Sequence, residues 1–199
     1  MKGRLIALDH IGDREAAALM VDGKLDDLIV AQAAGPVPGS IYRAEVGRQM
    51  KGQGGVIVSL GEGQKGFLRG VKNASPSDRL MVQITGHAEA GKATPVTPKL
   101  LFKSRYAIVT PDAPGINISR AIRDDDIRDA LLLTAHETMS DSGFGLIVRS
   151  SAAKAEAEAI AEDIEAMRAL ADAVLAKAEG PPALVHLGDG PHLIAWREW

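Results

Sequence analysis

The sequence predicts an α+β fold in which a small β-barrel is inserted into a split α/β body. Two observations carry this prediction. Short apolar runs bounded by turn residues lie between two segments rich in proline and glycine, and longer runs with strand-like and helix-like spacing follow them. The parts before and after the barrel each have too little apolar surface to fold alone, so we expect them to pack together.

The composition limits the class of protein. The chain has 199 residues, 46% of them apolar, which suffices for one core with a small appended barrel. It contains no run of about 18 apolar residues and begins without a secretory apolar core, so we expect no membrane span, no export and a cytoplasmic location. The lack of cysteine excludes disulfides and thiolate metal sites, and five scattered histidines argue against structural zinc.

The first elements along the chain are a hairpin and a linker. Residues 16–30 contain two apolar runs joined by Asp22-Gly23, a dipeptide that favours a tight turn because its residues tolerate positive φ. Residues 33–39 read AAGPVPG, and their prolines and glycines predict a stiff linker into the next unit.

Four short strands predict the barrel itself. They cover residues 41–49, 55–60, 65–68 and 80–85, with a loop at 73–76. Residues 91–98, GKATPVTP, predict a second linker that leaves this unit. The order of strands, glycine turns and a Gly-Phe-Leu close is typical of an S1-type barrel of the OB-fold class, which binds single-stranded nucleic acid on one face.

Strands and helices alternate after the barrel. We expect a strand over 106–110, a loop over 111–115, and a helix that begins at the aspartates 124–126. A strand over 145–149 follows, and Ser150 or Ser151 is expected to cap a long helix over 152–178. Residues 183–187 and 193–196 predict a closing hairpin joined by Gly-Asp-Gly-Pro.

The charge is divided unevenly along the chain. The net charge is −3, but residues 35–106 hold 11 Lys/Arg against 4 Asp/Glu, and the remainder holds 12 against 22. The basic segment coincides with the predicted barrel, as expected for contacts to phosphates. The alternative is a set of ordinary lysine-rich loops.

Four motifs resemble the N-terminal part of the ribonuclease E/G family: GSIYRAEV, GQKGFL, RYAIVTPDAPGINISRAI and GFGLIVRSSA. The resemblance implies an S1-type OB-fold barrel inserted into a split ribonuclease H-like and 5′-sensor α/β body. It divides the chain into a first ribonuclease H-like part (1–35), the S1-like barrel (36–92), and the 5′-sensor region with the returning ribonuclease H-like part (93–199).

The same resemblance implies which domain this chain lacks. In the family, a deoxyribonuclease I-like domain with magnesium-binding aspartates follows, with a paired-cysteine zinc link beyond it. Because the sequence stops at Trp199 before any such domain, we expect no catalytic residue, no resident metal and no cofactor. Mg²⁺ would be needed only if the chain were itself a nuclease.

The resemblance also implies an RNA-binding surface on the barrel. The family stacks bases on two phenylalanines and adds a lysine; Phe67 and Lys92 match one ring and the cation, and Ile57 stands at the other ring position. Secondary candidates for this surface are Tyr42, Arg43, Lys51, Lys65 and Arg69. The alternatives are that Phe67 fills the barrel core and that the others form a solvated rim.

A second implied site is the sensor of a 5′-terminal phosphate. The family uses an arginine and a threonine at a strand-to-helix junction, and Arg149 and Ser150 occupy that pattern. A guanidinium, a hydroxyl and free backbone N–H groups suit a dianion. A glycine and a valine of the sensor fall on Ser104 and Ile108. The alternative is that Ser150 is only a helix cap and Arg149 only forms a salt bridge.

Three functions are open at this point. The first is binding of single-stranded RNA, with its 5′-monophosphate end as a second ligand. The second is a metal-dependent endoribonuclease; however, the aspartates 124–126 are consecutive and suit a helix start, and Asp22 belongs to a turn, which leaves Asp9 and Glu15. The third is a module that docks on other RNA-processing proteins through the acidic segment 152–178.

Overall fold

The computed structural model of the chain describes residues 2–50, 52, 54–70 and 75–199. The strands in these ranges are β1 (Arg4–Ile11), β2 (Arg14–Val21), β3 (Lys24–Val30), β4 (Ile41–Met50), β5 (Gly55–Gly61), β6 (Gln64–Arg69), β7 (Arg79–Ile84), β8 (Thr94–Thr97), β9 (Phe102–Lys103), β10 (Ala107–Thr110), β11 (Ile116–Ile118), β12 (Gly145–Val148) and β13 (Ala183–His186). The helices are α1 (Asp125–Thr138), α2 (Ala157–Leu175), α3 (Pro191–Glu198) and a short 3-10 helix, Ser150–Lys154. The α+β prediction is confirmed.

The first sheet contains the predicted hairpin and one additional strand. β1, β2 and β3 are antiparallel in that order, and both Asp22 and Gly23 have positive φ at the turn between β2 and β3. The hairpin prediction is confirmed. Sequence analysis did not predict β1, because all eight of its residues are exposed and its apolar residues do not alternate with polar ones.

The second sheet closes into a five-stranded barrel. Its strands follow the order β4-β5-β6-β8-β7, and β7 pairs back onto β4. Alternate residues point inward and form a separate core: Tyr42, Ala44, Val46, Val56, Val58, Leu60, Leu68, Val82, Ile84 and Val96. The closed barrel is consistent with an OB-fold. The four predicted barrel strands are confirmed.

The fifth barrel strand lies where a linker is predicted. β8 occupies residues 94–97, between β6 and β7, and its Thr94 and Val96 are buried. The linker prediction for residues 91–98 is therefore wrong. Two prolines in this segment argue against a strand in the sequence, because proline has no backbone N–H to donate. The carbonyl of Pro95 can still accept, and it accepts a hydrogen bond from Thr85 N–H at 3.0 Å.

The third sheet carries two helices. Its order is β11-β12-β10-β9, and α1 and α2 cover one face, on which Val109, Leu146 and Val148 are buried. Ile108 and Ile147 alternate with these residues and lie on the opposite face. Asp124 caps α1 by accepting a hydrogen bond from Ile127 N–H at 3.1 Å, which confirms the predicted helix start.

The predicted cap of the long helix is wrong. Residues 150–154 form the separate 3-10 helix, and no side chain caps it. Ala155 then takes an extended conformation, and α2 begins only at Ala157. Ser151 Oγ donates instead to the carbonyl of Arg105 at 2.5 Å.

The predicted closing hairpin is also wrong. Residues 193–196 lie inside α3, which has Pro191 in its first turn, a position that proline favours because its ring presets φ. A short apolar run does not distinguish helix from strand. β13 instead pairs with the start of β4, and α3 packs against β2 and β3, so the first and last segments of the chain are in contact.

The described helices contain no segment that is both long enough and apolar enough to cross a membrane.

Candidate functional site

An apolar row crosses three neighbouring strands on the outside of the barrel. Phe67 lies between Ile57 of β5 and Pro95 of β8, its register partners on either side. All three are half-buried, whereas the adjacent Leu68 and Val96 point into the core. Phe67 is therefore a surface ring, and the alternative that it fills the core is excluded.

Cations surround this row in a groove of about 1000 Å³, which we call the barrel groove. Lys65 and Arg69 share the outer face of β6 with Phe67, and the Arg69 guanidinium lies 6.0 Å from the centre of the Phe67 ring. The remaining lining residues are Arg48, Met50, His87, Glu89, Gly91, Lys92 and Ala93. Among the described residues that line the groove, four fixed positive charges and one carboxylate give it a positive potential.

Lys92 is paired with Glu89, a carboxylate that also lines the groove. Its Nζ donates to Glu89 Oε2 at 2.6 Å, and its backbone N–H donates to the Glu89 carbonyl at 2.9 Å. The hydrogen bond and charge of Lys92 lower the pKa of Glu89. Both side chains are exposed, so the pair is weak and another anion can exchange for Glu89.

Two predicted residues lie away from the groove, and a third is outside the described residues. Tyr42 is 7% exposed in the barrel core, where burial, and then the nearby charge of Glu62, raises the pKa of its phenol. Arg43 donates to the carbonyls of Lys177, Glu179 and Pro181, and so ties the barrel to the end of α2. Lys51 falls outside the described ranges.

The sequence did not indicate Arg48 and His87 as lining residues. Alternation from the buried Ala44 and Val46 would point Arg48 into the core. A register shift between Val46 and Gln49 turns it outward instead. His87 lies between β7 and β8, a position that became visible only once β8 was placed in the barrel.

A second group of charges meets at the edge of the third sheet. Arg149 follows β12, and its guanidinium donates to the carbonyl of Ser104 at 2.5 Å and to Glu198 Oε2 at 2.6 Å. Glu198 Oε1 accepts from Lys103 Nζ at 2.6 Å and from Arg197 Nε at 2.9 Å. We call Lys103, Arg149 and Arg197 the cation cluster.

The cation cluster keeps Glu198 ionised. Burial opposes the charge of this carboxylate, but hydrogen bonds from Lys103 and Arg197, together with the charges of Arg149 and Lys103, outweigh that effect and lower its pKa to about 2. Arg149 is thus a salt-bridge former, as one of the sequence interpretations has it. Lys103 and Arg197 were not among the predicted residues because only the fold brings them to Arg149.

The other predicted sensor residues lie around this cluster in different ways. Ser150 is exposed and directly follows Arg149, as the first residue of the 3-10 helix. Ile108 is the register partner of Lys103, on the face of the sheet that the helices leave open. Ser104 is buried, and its hydroxyl donates to Asp163 Oδ2 rather than pointing to that face.

The carboxylates considered for metal binding each have another partner. Asp22 Oδ1 accepts from Gly3 N–H at 2.8 Å, and Asp9 Oδ1 accepts from His10 N–H at 2.8 Å. Glu15 Oε1 lies 3.2 Å from Nδ1 of His192 on α3. Within the part of the chain that the structure describes, no three His, Asp or Glu side chains are grouped closely enough to hold a metal ion.

Comparison with known sequences identifies a similar family. The model of the "Ribonuclease E/G family" matches residues 102–196, from β9 to α3. This segment contains Lys103 and Arg149 of the cation cluster and ends one residue before Arg197. The barrel strands all precede it.

Individual relatives match more of the chain. Ribonuclease E from Nostoc sp. is 26% identical over 203 residues, which cover 93% of this chain and 29% of the relative. Ribonuclease G from Salmonella typhimurium is 23% identical, over 87% of this chain and 40% of the relative. The ribonuclease E/G-like protein of Pyropia yezoensis is 25% identical, over 76% and 33%. This chain spans less than half the length of each of these relatives. It resembles the ribonuclease E/G family, as its motifs predict.

Proposed function

We propose, from the resemblance of this chain to the ribonuclease E/G family, that the barrel groove binds single-stranded RNA and that this chain does not itself cleave it. We further propose that the cation cluster receives the 5′-terminal phosphate of the RNA. In this proposal the barrel is of the S1 type, and β1, β2, β3 and α3 belong to a split ribonuclease H-like body. The single observation that carries RNA binding is the half-buried ring of Phe67, which lies on the outer face of the barrel among the cations of the groove.

The groove has the two components that binding of a single strand requires. A base can stack on Phe67, an interaction worth about 1–3 kcal/mol per base, while Lys65 and Arg69 contact the phosphates on either side. Ile57 and Pro95 extend the apolar floor without adding a second ring. Stacking on a single ring favours modest affinity with little preference among the bases.

The proposal assigns no catalytic residue. Cleavage by two metal ions needs carboxylates that converge from separate elements, and Asp9, Glu15 and Asp22 are each engaged elsewhere. The names of the relatives supply RNA as the ligand class. The ring and cations of the groove supply a means of holding it.

Fluorescence anisotropy, which measures the affinity of the protein for a short labelled RNA, tests whether the barrel groove binds RNA. We expect Phe67→Leu to weaken binding by about tenfold, because it removes the ring but keeps an apolar residue at the same place. Leu133→Ala, at an exposed apolar position on α1, is the matched control and should leave the affinity unchanged. Equal affinities of wild type and Phe67→Leu would contradict the proposal.

The salt dependence tests the contribution of the cations. The logarithm of the binding constant should fall linearly with the logarithm of salt concentration, with a slope of about −0.7 for each phosphate neutralised on a single strand. Lys65→Gln should make the slope less steep. Binding that does not change with salt would exclude the phosphate contacts.

Two further measurements test the remaining parts. Incubation of the purified chain with RNA and Mg²⁺ should give no turnover; cleavage that is lost on substituting one of its aspartates would overturn the noncatalytic assignment.

RNA with a 5′-monophosphate should bind more tightly than the same RNA with a 5′-hydroxyl, and Arg149→Ala should remove the difference. Equal affinities for both RNAs, in the wild type and after neutralisation of Glu198, would contradict the terminal-phosphate site.

A further inference from the structure

The cation cluster already holds an anion that belongs to the chain itself. Glu198 accepts hydrogen bonds at both carboxylate oxygens, from Lys103 and Arg197 at Oε1 and from Arg149 at Oε2. These three cations come from three separate elements, β9, the end of β12 and α3. Without an anion between them, three positive charges would face one another at close range.

We propose that Glu198 is an internal competitor for the terminal phosphate: it occupies the cation cluster in the free protein and is displaced when a phosphate monoester enters. This inference rests on the proposed function, since it concerns regulation of the same site. It also adds Lys103 and Arg197 to Arg149 as phosphate-binding residues.

The charges at the site favour exchange of the carboxylate for a phosphate monoester. The cluster contributes three positive charges, and the negative charges in contact with it are Glu198 and Asp189, the latter 2.5 Å from Arg197. One positive charge is therefore left over. A phosphate monoester carries about −1.5 to −2 charges at pH 7 and three acceptor oxygens, so it balances the cluster better than a carboxylate does.

The cluster is accessible enough for this exchange. The side chain of Arg149 is 16% exposed and that of Glu198 is 27% exposed, so both reach the surface. Helix α3 has further attachments, because the Arg105 guanidinium lies 4.7 Å from the centre of the Trp196 ring and Glu15 contacts His192. Displacement therefore requires only a rotation of the Glu198 side chain, with α3 remaining in place.

The competitor weakens the binding of every ligand at this site by the same factor, so only a ligand with a high intrinsic affinity occupies it. A ligand that must first displace Glu198 binds with an apparent affinity reduced by the fraction of open sites. An internal phosphodiester carries one negative charge, like the carboxylate that it would replace, and gains little from the exchange. A terminal monoester has the additional charge and oxygen.

The test compares Glu198→Gln with Glu165→Gln, using RNA with a 5′-monophosphate or a 5′-hydroxyl. Glu165 is exposed on α2 and forms none of the ion pairs of the cluster, so its substitution changes the net charge of the chain equally. We expect Glu198→Gln to tighten binding of the phosphorylated RNA by about tenfold and to change binding of the hydroxyl RNA no more than Glu165→Gln does. The gain should disappear in the double variant Arg149→Ala/Glu198→Gln.

The possible outcomes separate this inference from the proposed function. If the wild type prefers the phosphorylated RNA through Arg149 and Glu198→Gln leaves that preference unchanged, the competitor is excluded and the proposed site stands. If neither protein distinguishes the two RNAs, the terminal-phosphate site fails and the inference fails with it. If Glu198→Gln does not fold, Glu198→Asp provides the same comparison, because the shorter carboxylate cannot reach all three cations equally. It should give a smaller gain in affinity for the phosphorylated RNA. No gain in that affinity would overturn the inference.

Discussion

The hydroxyl of Ser104 donates a hydrogen bond to Asp163 Oδ2 at 2.5 Å, and the same oxygen accepts from Tyr106 N–H at 2.8 Å. Ser104 is 9% exposed, and this bond joins the segment after β9 to α2. The resemblance to the ribonuclease E/G family places a glycine here. The extra side chain is directed into the protein and adds no bulk on the face that carries Lys103 and Arg149.

Ser104→Ala should therefore affect stability and not ligand preference. We expect the free energy of unfolding to fall by about 1–2 kcal/mol, because Asp163 loses one of two donors in a partly buried place. Urea denaturation measures this, and the ratio of affinities for 5′-phosphorylated and 5′-hydroxyl RNA should stay at the wild-type value. A changed ratio at unchanged stability would mean that Ser104 contacts the ligand.

Ile57→Phe should strengthen binding of single-stranded RNA. Ile57 and Phe67 are register partners on the outer face of adjacent strands, so a second ring would lie beside the first and could stack a further base. The expected gain is about tenfold, at the lower end of the value of one stacked base. Ile127→Phe, at an exposed position on α1, is the control and should bind as the wild type does. Equal gains in both variants would point to nonspecific contact.

Glu89→Gln should release Lys92 for contact with phosphate. The two side chains now pair at 2.6 Å in an exposed turn, so the expected gain in RNA affinity is small, about twofold. The more specific sign is a steeper dependence of affinity on salt, because one more cation contacts the RNA. Lys92→Gln should reverse both effects; a slope that is the same in all three proteins would exclude Lys92 from the interface.

Arg43→Gln should weaken the attachment of the barrel to α2 without altering RNA affinity. Its guanidinium bonds three carbonyls after α2, and loss of these bonds should lower the free energy of unfolding by about 1–3 kcal/mol. Denaturation and anisotropy on the same variant measure the two quantities. A loss of RNA affinity at unchanged stability would mean that Arg43 contacts RNA, as the sequence interpretation has it.

Acid should destabilise the chain partly through Glu198. Its pKa is about 2 in the folded protein against an ordinary 4.5, so the unfolded chain takes up a proton at a higher pH than the folded one. Its contribution to stability is therefore fully present above about pH 5 and is lost as the pH falls from 4.5 towards 2. Asp141, whose pKa Arg168 lowers through a hydrogen bond, acts in the same direction.

Glu198→Gln separates the two carboxylates. Between about pH 6 and about pH 3, the free energy of unfolding of this variant should fall less than that of the wild type. Urea denaturation at a series of pH values measures the difference. Identical pH profiles would show that the contacts of Glu198 do not persist in solution.

The barrel strands were predictable because their pattern is local. Buried and less buried residues alternate along much of β4, β5, β6 and β7, and the sequence shows these strands as short apolar runs separated by glycine turns. The same holds for the turn at Asp22-Gly23 and for the cap at Asp124, where the conformation depends on one or two residues. Strand β8 and helix α3 were missed, since a short run with prolines supports more than one structure and only its neighbours decide between them.

The candidate site residues likewise divide into those that local sequence predicts and those that only tertiary contacts bring together. The sequence by itself determined that a ring and a basic segment coincide, because Phe67, Lys65 and Arg69 alternate on one strand and need no distant residue to share a face. Only the tertiary structure decided that Tyr42 is core, that a bulge turns Arg48 outward, and that Glu198 lies between Lys103 and Arg149. The physical reason is that such contacts join residues far apart in the chain, and their geometry follows from how the sheets and α3 pack together.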